Sequence, residues 1–391
     1  MNYILFDGET HQKLLPLTYT RPVADLRIGI LTIREKWEKY LSTTTSTLTQ
    51  NYLQSKYPLV EFNTNVMINA KFIPNESLVK RVKHLNKNEA IVKDKEVIAY
   101  FTTNTKKTID FSSYNKIEFY EDLLVINNVW DIFSFNGKAI KQDYKLLTKG
   151  KISQTIPKTV HCINKENIFL EQGAKVEIAV LNAGNGPIYL GKNAEIMEGC
   201  MLRGPFAMCE SSVLKMGAKI YGSTTLGPFC KVGGEVNNVI FQANSNKAHD
   251  GYLGNSVIGE WCNFGAGTNN SNLKNNYADV KLWNYSANRF LNTGLQFCGL
   301  IMGDHSKCGI NTMFNTGTVV GVSANIYGSN FPRNFIPSFS WGGSAGFTTY
   351  KLNKVFEVAK LVMARKNKKF DELDKNILQY IFDISSKYRT N

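Results

Sequence analysis

The chain of 391 residues has no cysteine pair in CxxC spacing and no apolar run of about 18 residues, the length a membrane-spanning helix needs. Its seven cysteines (162, 200, 209, 230, 262, 298 and 308) mostly stand where a small apolar residue is wanted, which argues for reduced core thiols against disulfides or metal ligands. The opening MNYILFDGET has no basic segment followed by an apolar one, so no secretory leader is read there and a cytoplasmic location is expected. Negative charge is the scarcer sign: 46 Lys and Arg against 32 Asp and Glu leave a net charge of +14. Such a balance favours an anionic partner. No basic run interleaves with aromatics, as a nucleic-acid groove would, and no basic amphipathic helix dominates, as membrane attachment would. With nucleic acid and membrane not expected, small phosphorylated ligands remain.

From Leu190 the sequence falls into sixes: LGKNAE, IMEGCM, LRGPFA, MCESSV, LKMGAK, IYGSTT, LGPFCK, VGGEVN. Each opens with an aliphatic residue (Leu190, Ile196, Leu202, Met208, Leu214, Ile220, Leu226, Val232). Four positions on comes a mostly small one: Ala194, Cys200, Phe206, Ser212, Ala218, Thr224, Cys230 or Val236. This spacing fits neither a helix nor an ordinary strand pair. It is the hexapeptide pattern of a left-handed parallel β-helix, in which each six residues make one side of a triangular coil and stacked coils share one apolar column. The phase returns at Ile258 and Phe264, then at Met302, Cys308, Phe314, Val320 and Ile326. Two stretches leave it, roughly Asn237 to Tyr252 and Asn269 to Gln296, and both are expected to loop outward.

The remaining sequence frames this solenoid. Residues 1–150 mix helical and strand patterns and predict an α/β domain. The β-helix domain is expected over 151–345 and C-terminal helices over 346–391. In that tail Leu352, Val355, Phe356 and Ala359 share one helical face and Leu373, Ile377, Ile381 and Ile384 another. Two helices divided near RKNKK are expected to cap the open end of the solenoid or to make a subunit contact.

Between Lys247 and Asn276 stands KAHDGYLGNSVIGEWCNFGAGTNNSNLKNN. Its His249, Tyr252, Leu253, Gly254, Asn263, Gly265, Ala266, Gly267, Thr268 and Asn272 resemble, at matching spacings, the acetyltransferase motif of the GlmU family. Members of that family join N-acetylglucosamine-1-phosphate uridyltransferase and glucosamine-1-phosphate acetyltransferase activities. The resemblance is specific over about 25 residues, and the whole chain is similar in architecture to a compact branch with a shortened nucleotidyltransferase domain. It implies an acetyl-CoA-dependent transferase acting on an amino-sugar phosphate, with His249 as general base, Ala266 as an acetyl-CoA contact whose amide faces the developing oxyanion, and Tyr252, Asn263 and Asn272 as sugar-phosphate contacts. Those types suit the chemistry: the amine must lose a proton, which an imidazole can relay, and a Gly-Ala-Gly turn can offer backbone donors without crowding. Leu273 replaces the family's aromatic, and Ala278 stands where its lysine is expected. Lys274 or Lys281 can substitute, and Lys281 is taken as the sugar-phosphate contact.

The resemblance also implies nucleoside triphosphate as a ligand of the first domain, Mg²⁺ if that domain is active, and a homotrimer. FDGETHQKLLPLTYTRPVADLRIGILTIREKW occupies the place of the family's glycine-rich loop but brings only Gly8 to it. Lys13, Arg21 and Arg27 are the candidate phosphate partners. Asn69 stands where a metal-binding carboxylate is expected, which leaves Asp131 or Asp7 as metal candidates. Two alternatives stay open. One is a sugar-1-phosphate nucleotidyltransferase whose β-helix only trimerises it, and the other is a scaffold without turnover.

Overall fold

The computed structural model describes residues 1–105 and 110–389; the expected C-terminal segment therefore runs two residues past the described ones. The chain opens with β1 (Asn2–Phe6), whose Tyr3, Ile4 and Leu5 are buried, as suits a central strand covered on both faces. Helix α1 (Ile33–Leu41) starts at a capping box in which Thr32 and Glu35 satisfy each other's backbone N–H groups. β2 (Ser46–Leu48) then pairs parallel to β1 on one side, and β3 (Asn65–Asn69) pairs parallel to it on the other. After α2 (Glu76–Lys83) come β4 (Glu89–Lys93), β5 (Glu96–Thr102) and β6 (Asn115–Glu118), giving the sheet order β2-β1-β3-β5-β4-β6. Strand order reverses across β1, so the loops that follow β1, β2 and β3 meet at a switch point on one sheet edge.

Helix α3 (Val129–Thr148) leads into a parallel β-solenoid. The sixfold pattern is realised residue by residue. Leu190 pairs with Met208 and Met208 with Leu226, a step of 18 residues, or three sides of six. All eight aliphatic positions from Leu190 to Val232 are at most 2% exposed, and all eight partners from Ala194 to Val236 are 0% exposed, so both sets point into one column. Each turn into the second side passes through a left-handed residue: Asn193, Ser211, Phe229, Asn244, Trp261, His305, Ser323 and Phe339 all have φ between 54° and 62°. This conformation is costly for bulky side chains, and its recurrence shows that coil closure decides it. All seven cysteines are free, six of them buried.

The two phase breaks have opposite causes. Residues 237–252 hold no outward insertion. The strand Glu235–Phe241 turns its corner at the left-handed Asn238 (φ +56°), pairing with Lys219–Tyr221 by its first half and with Thr224–Leu226 by its second. Val232 consequently pairs with Lys247 after 15 residues, and the coil is three residues short. The second break is an insertion: Phe264 pairs with Cys308 after 44 residues, and the surplus includes the antiparallel hairpin Lys281–Asn284 and Arg289–Asn292.

The α/β domain lies flat against the solenoid. Helix α3 packs along the strands Phe206–Met208, Thr224–Leu226, Glu235–Phe241 and Tyr252–Ile258. On α3, the Asn136 amide donates to Ser223 O and Thr225 Oγ1 while its oxygen accepts the Gly29 N–H. Two turns along, Asp143 accepts the Ile30 and Leu31 N–H groups and pairs with the buried Lys36 ammonium. Burial lowers the Lys36 pKa, and it raises that of Asp143 against the pull of the Lys36 charge.

Helices α4 (Leu352–Ala364) and α5 (Glu372–Ile384) do more than cap an open end. Tyr380 stacks on Tyr52 of the first domain at 4.2 Å, Asp374 pairs with Lys56, and Lys366 Nζ reaches Phe229 O in the middle of the solenoid at 3.0 Å. Phe382 packs against Phe339 near the last coils. The pair is thus a strap across both units. On α5 the covered face is Ile377, Leu378 and Ile381, while Leu373 and Ile384 at its edges are 37% and 38% exposed.

Candidate functional site

The short coil that begins at Lys247 carries His249. Lys247 stands in the inward column, where the neighbouring coils place Val232 and Phe264, and it is 2% exposed. Its ammonium, held inside, donates to His249 O at 2.8 Å and to Gly233 O at 3.2 Å. Burial pushes its pKa down to about 8, with Asp250 and Cys308 acting in the other direction. His249 itself follows at the corner with its side chain exposed. The next coil puts Ala266 at the equivalent corner. There Gly267 (φ +69°) donates its N–H to Asp250 O at 3.1 Å, which ties the two corners together. A Cβ at Gly265 would collide with the Gly309–Ile310 backbone, so close stacking of this turn requires glycine. Among the described residues the Ala266 N–H has no acceptor, as is also true of Met216 at the matching corner two coils before His249.

Beyond that corner the strand Tyr252–Ile258 begins. The Tyr252 N–H donates to Asn269 Oδ1 at 2.7 Å, and its hydroxyl accepts from Asn272 Nδ2 at 2.9 Å. The same Asn272 amide donates to Asn255 Oδ1 at 2.7 Å. Burial raises the Tyr252 pKa, and hydrogen bonds from Asn237 and Asn272 oppose that rise. Asn269 and Asn270 are not loop residues. They form a strand, and the buried Asn270 side chain closes on both the N–H and the C=O of Gly254. His249, Ala266, Tyr252 and Asn272 thus fall on adjacent coils, with Asn237, Asn255 and Asn269 around the tyrosine. The sequence reading passed over Lys247, Asn255 and Asn269; the signal for Lys247 was a charged residue replacing an aliphatic one where the phase breaks.

Two further candidates lie elsewhere. Asn263 projects exposed from the second side, between Asn246 and Lys307 in the ladder, and among the described residues its side chain has no hydrogen-bond partner. Lys281 stands on the inserted hairpin and lines a separate groove with Phe290 and Arg333.

In the first domain the candidates scatter. Gly8 (φ +53°) sits at the switch point in a recess of about 210 Å³ with Asp7, Thr49 and Gln50. Lys13 is exposed. Arg21 and Arg27, read as phosphate partners, are instead 6% and 7% exposed and committed to the solenoid. The Arg21 guanidinium pairs with Glu260 and Asp304. Arg27 donates from Nε to Gln242 O and from its backbone N–H to Gln242 Oε1, with Glu35 3.5 Å away. Each lines a cavity, but Arg21 is held there by two carboxylates and Arg27 by carbonyl oxygens of Gln242 and Ile30. Asp7 accepts from Thr49 Oγ1 and the Val23 N–H, and burial pushes its carboxyl up to about 7. Asp131 caps α3, accepting the Asn127 and Asn128 N–H groups at 2.8 Å each. The Asn69 oxygen is taken by the Lys71 N–H, and the Lys71 ammonium pairs with Glu96. Among the described residues no three His, Cys, Asp or Glu side chains gather in a way that could hold a metal ion, and Asp7 and Asp131 are each engaged by hydrogen bonds within the first domain.

Comparison with known proteins agrees with both halves. Residues 3–152 match a family described as sugar nucleotidyl transferase. A bifunctional sugar-1-phosphate nucleotidylyltransferase/acetyltransferase of Sulfurisphaera tokodaii is 30% identical over 144 residues, 36% of this chain and 35% of that protein. The bifunctional protein GlmU of Methanocaldococcus jannaschii is 29% identical over 196 residues, covering 50% of this chain and 41% of its own length. That of Wigglesworthia glossinidia brevipalpis is 25% identical over 291 residues, or 68% and 57%. The matches therefore span between about a third and three-fifths of these relatives. Fold and matches define the class: a sugar nucleotidyl transferase-type α/β domain joined to a hexapeptide solenoid. Within that class the chain is similar to bifunctional proteins of the GlmU type. Among the described residues no helix is long and apolar enough to cross a membrane.

Proposed function

We propose that the solenoid transfers an acetyl group from acetyl-CoA to the amine of an amino-sugar phosphate. The observation that carries this reading is the stacking of His249 and Ala266 on adjoining corners, beside the Tyr252–Asn272–Asn255 hydrogen-bonded cluster. The amine nitrogen attacks the thioester carbonyl while His249 accepts its proton. The C–S bond then breaks, and the departing thiolate takes the proton back from the imidazolium. The free Ala266 N–H is the donor for the oxyanion of the tetrahedral intermediate. Tyr252 and Asn272, each holding the other, orient the sugar. Asn263, outside the cluster, serves this site only if a neighbouring subunit or the substrate's far end reaches it, and the expected trimer supplies such a neighbour. Uridine or thymidine nucleotide sugar, glucosamine or another amino sugar, and a cytoplasmic setting belong to this same reading.

Nucleotidyl transfer by the first domain is favoured by its family match and by the recess at the switch point. Gly8, in that recess, and the exposed Lys13 elsewhere in the domain are the candidate groups left for phosphate. No step is assigned to Mg²⁺, because the carboxylates present are engaged elsewhere.

The test is a thiol-release assay on the intact protein with acetyl-CoA and glucosamine-1-phosphate or other amino-sugar phosphates, followed by UTP or dTTP with Mg²⁺ and detection of pyrophosphate. Acceptor-dependent thiol release supports the solenoid assignment, and later pyrophosphate adds the first domain. Pyrophosphate without thiol release would move the function to residues 1–150 and leave the His249 cluster without a role.

A further inference from the structure

Where other coils of the solenoid place Ile196, Leu214, Val232, Phe264, Cys308 and Ile326 in the inward column, the coil of His249 places Lys247. The lysine is no less enclosed than its aliphatic neighbours, at 2% exposure. Burial lowers its pKa to about 8, against the opposing pull of Asp250 on its own corner and Cys308 two coils further on. The charge is therefore carried at a cost to stability that an aliphatic residue at the same place would not bear. Departures of this kind from a repeating pattern are kept where function needs them.

What the ammonium does is hold peptide groups. Its bonds to His249 O and Gly233 O, at 2.8 and 3.2 Å, join the corner of His249 to the corner of the preceding coil. From the following coil the Gly267 N–H reaches Asp250 O at 3.1 Å. The two peptides that follow His249 are thus gripped from both neighbours. The imidazole is in the opposite condition: among the described residues its ring has no hydrogen-bond partner. Neither Asp250, next to it, nor Glu235, opposite Tyr252 in the ladder, bonds to it. A general base of this type is commonly turned into place by a partner on its second nitrogen. Here the backbone beneath the ring does that work, and a misplacement of about 1 Å in a reacting group can cost about a hundredfold in rate.

We propose that Lys247 is a positioning residue for the acyl transfer: from inside the column its two hydrogen bonds fix the His249 peptide, and with it the place from which the imidazole takes the proton of the acceptor amine. The proposal rests on the acetyl-transfer reading of this corner. It assigns the role to the hydrogen bonds and not to the charge. An ammonium has three N–H groups and a neutral amine two, so two carbonyls remain held when the proton is lost.

The test compares the native, Lys247→Met, Leu214→Met and His249→Ala proteins by thiol release with an amino-sugar phosphate, and by the imidazole proton resonances in NMR. The His249 resonance is the one that His249→Ala removes. Leu214→Met makes a volume-conserving change in the same column two coils away and controls for packing. Lys247→Met should lower kcat about tenfold or more, leave both KM values and the melting temperature at pH 7 near native, and shift the His249 resonance, while Leu214→Met does none of these. Native kcat should not fall as pH rises from 7 to 9, although the lysine loses its proton near pH 8. The proposal is overturned if kcat of Lys247→Met stays within about twofold of native while His249→Ala is inactive, or if Leu214→Met loses as much. It is equally overturned if native kcat falls near pH 8 to the level of Lys247→Met, since charge would then be the active feature. Native turnover by His249→Ala would sink the acetyl-transfer reading instead. The resonance then decides alone: shifted in Lys247→Met, it upholds the lysine as what sets the ring, and unchanged, it overturns that.

Discussion

Lys247 offers the most quantitative test of how the solenoid is built. Replacing it by Met puts a flexible apolar chain of similar length into the aliphatic column. In the native chain a buried ammonium has its pKa held at about 8, against 10.5 for an ordinary lysine, chiefly by burial. At about 1.4 kcal/mol per pH unit, this is an unfavourable contribution of about 3 kcal/mol while the group is charged in both states. The sign follows from proton binding. Between pH 8 and 10.5 the unfolded chain keeps the proton that the folded chain has lost, so native stability rises with pH across that window. Below pH 8 the burden is complete. Lys247→Met removes it but also removes two hydrogen bonds to carbonyls, each worth about 1 kcal/mol or somewhat more. The absolute change at pH 7 is therefore small. The difference between the two proteins is the clean quantity: the variant should lose about 3 kcal/mol relative to the native chain as pH goes from 7 to 10.5. Urea unfolding of both proteins at pH 7, 9 and 10.5 measures it, since every other titrating group cancels. A difference that stays constant within about 0.5 kcal/mol would refute the account of Lys247 as a desolvated charge.

Three further outcomes are expected. Arg21→Ala leaves the buried Asp304 and the partly buried Glu260 without a counter-charge and should cost about 3–5 kcal/mol, read by urea unfolding; a loss below about 1 kcal/mol would mean the domains do not dock as described. Leu214→Ala, in the column, should cost about 2–5 kcal/mol, whereas Met216→Ala, 70% exposed two residues on, should change stability by less than about 0.5 kcal/mol; similar losses would contradict the inward assignment. Asn272→Ala should raise the KM for the acceptor amine more than that for acetyl-CoA, by about tenfold, because it frees the Tyr252 hydroxyl and Asn255; an effect on acetyl-CoA alone would misplace the cluster.

The solenoid was legible because its restraint is periodic. Every sixth residue must enter the same column, so Leu190 to Val232 announce their burial one by one. Where the coil shortens, periodicity misleads: a deletion and an insertion both break the phase, and only the pairing of Val232 with Lys247 tells that residues 237–252 remain in the coil. His249, Tyr252, Ala266 and Asn272 were legible through a motif, since corner residues of adjacent coils keep fixed separations in sequence. Asn263 and Lys281 matched or neighboured that motif but fold onto another side and onto the inserted hairpin. Arg21 and Arg27 were misread for a different reason. A basic residue after a glycine-bearing turn looks the same in sequence whether it faces a phosphate or a carboxylate, and Glu260 and Asp304 lie about 240 and 280 positions away. The helical strap escaped for the same reason: the apolar face of α5 is visible in its own sequence, but Tyr52 and Phe229, which locate it, are not local.

The central claim is that the corner carrying His249 performs acetyl transfer. The most direct measurement is thiol release from acetyl-CoA by the native and His249→Ala proteins, with an amino-sugar phosphate as acceptor and thermal unfolding recorded for both. Loss of about a hundredfold or more in kcat with an unchanged melting temperature is the predicted result, since an exposed imidazole contributes its proton relay and little packing. Equal turnover by the two proteins would contradict it.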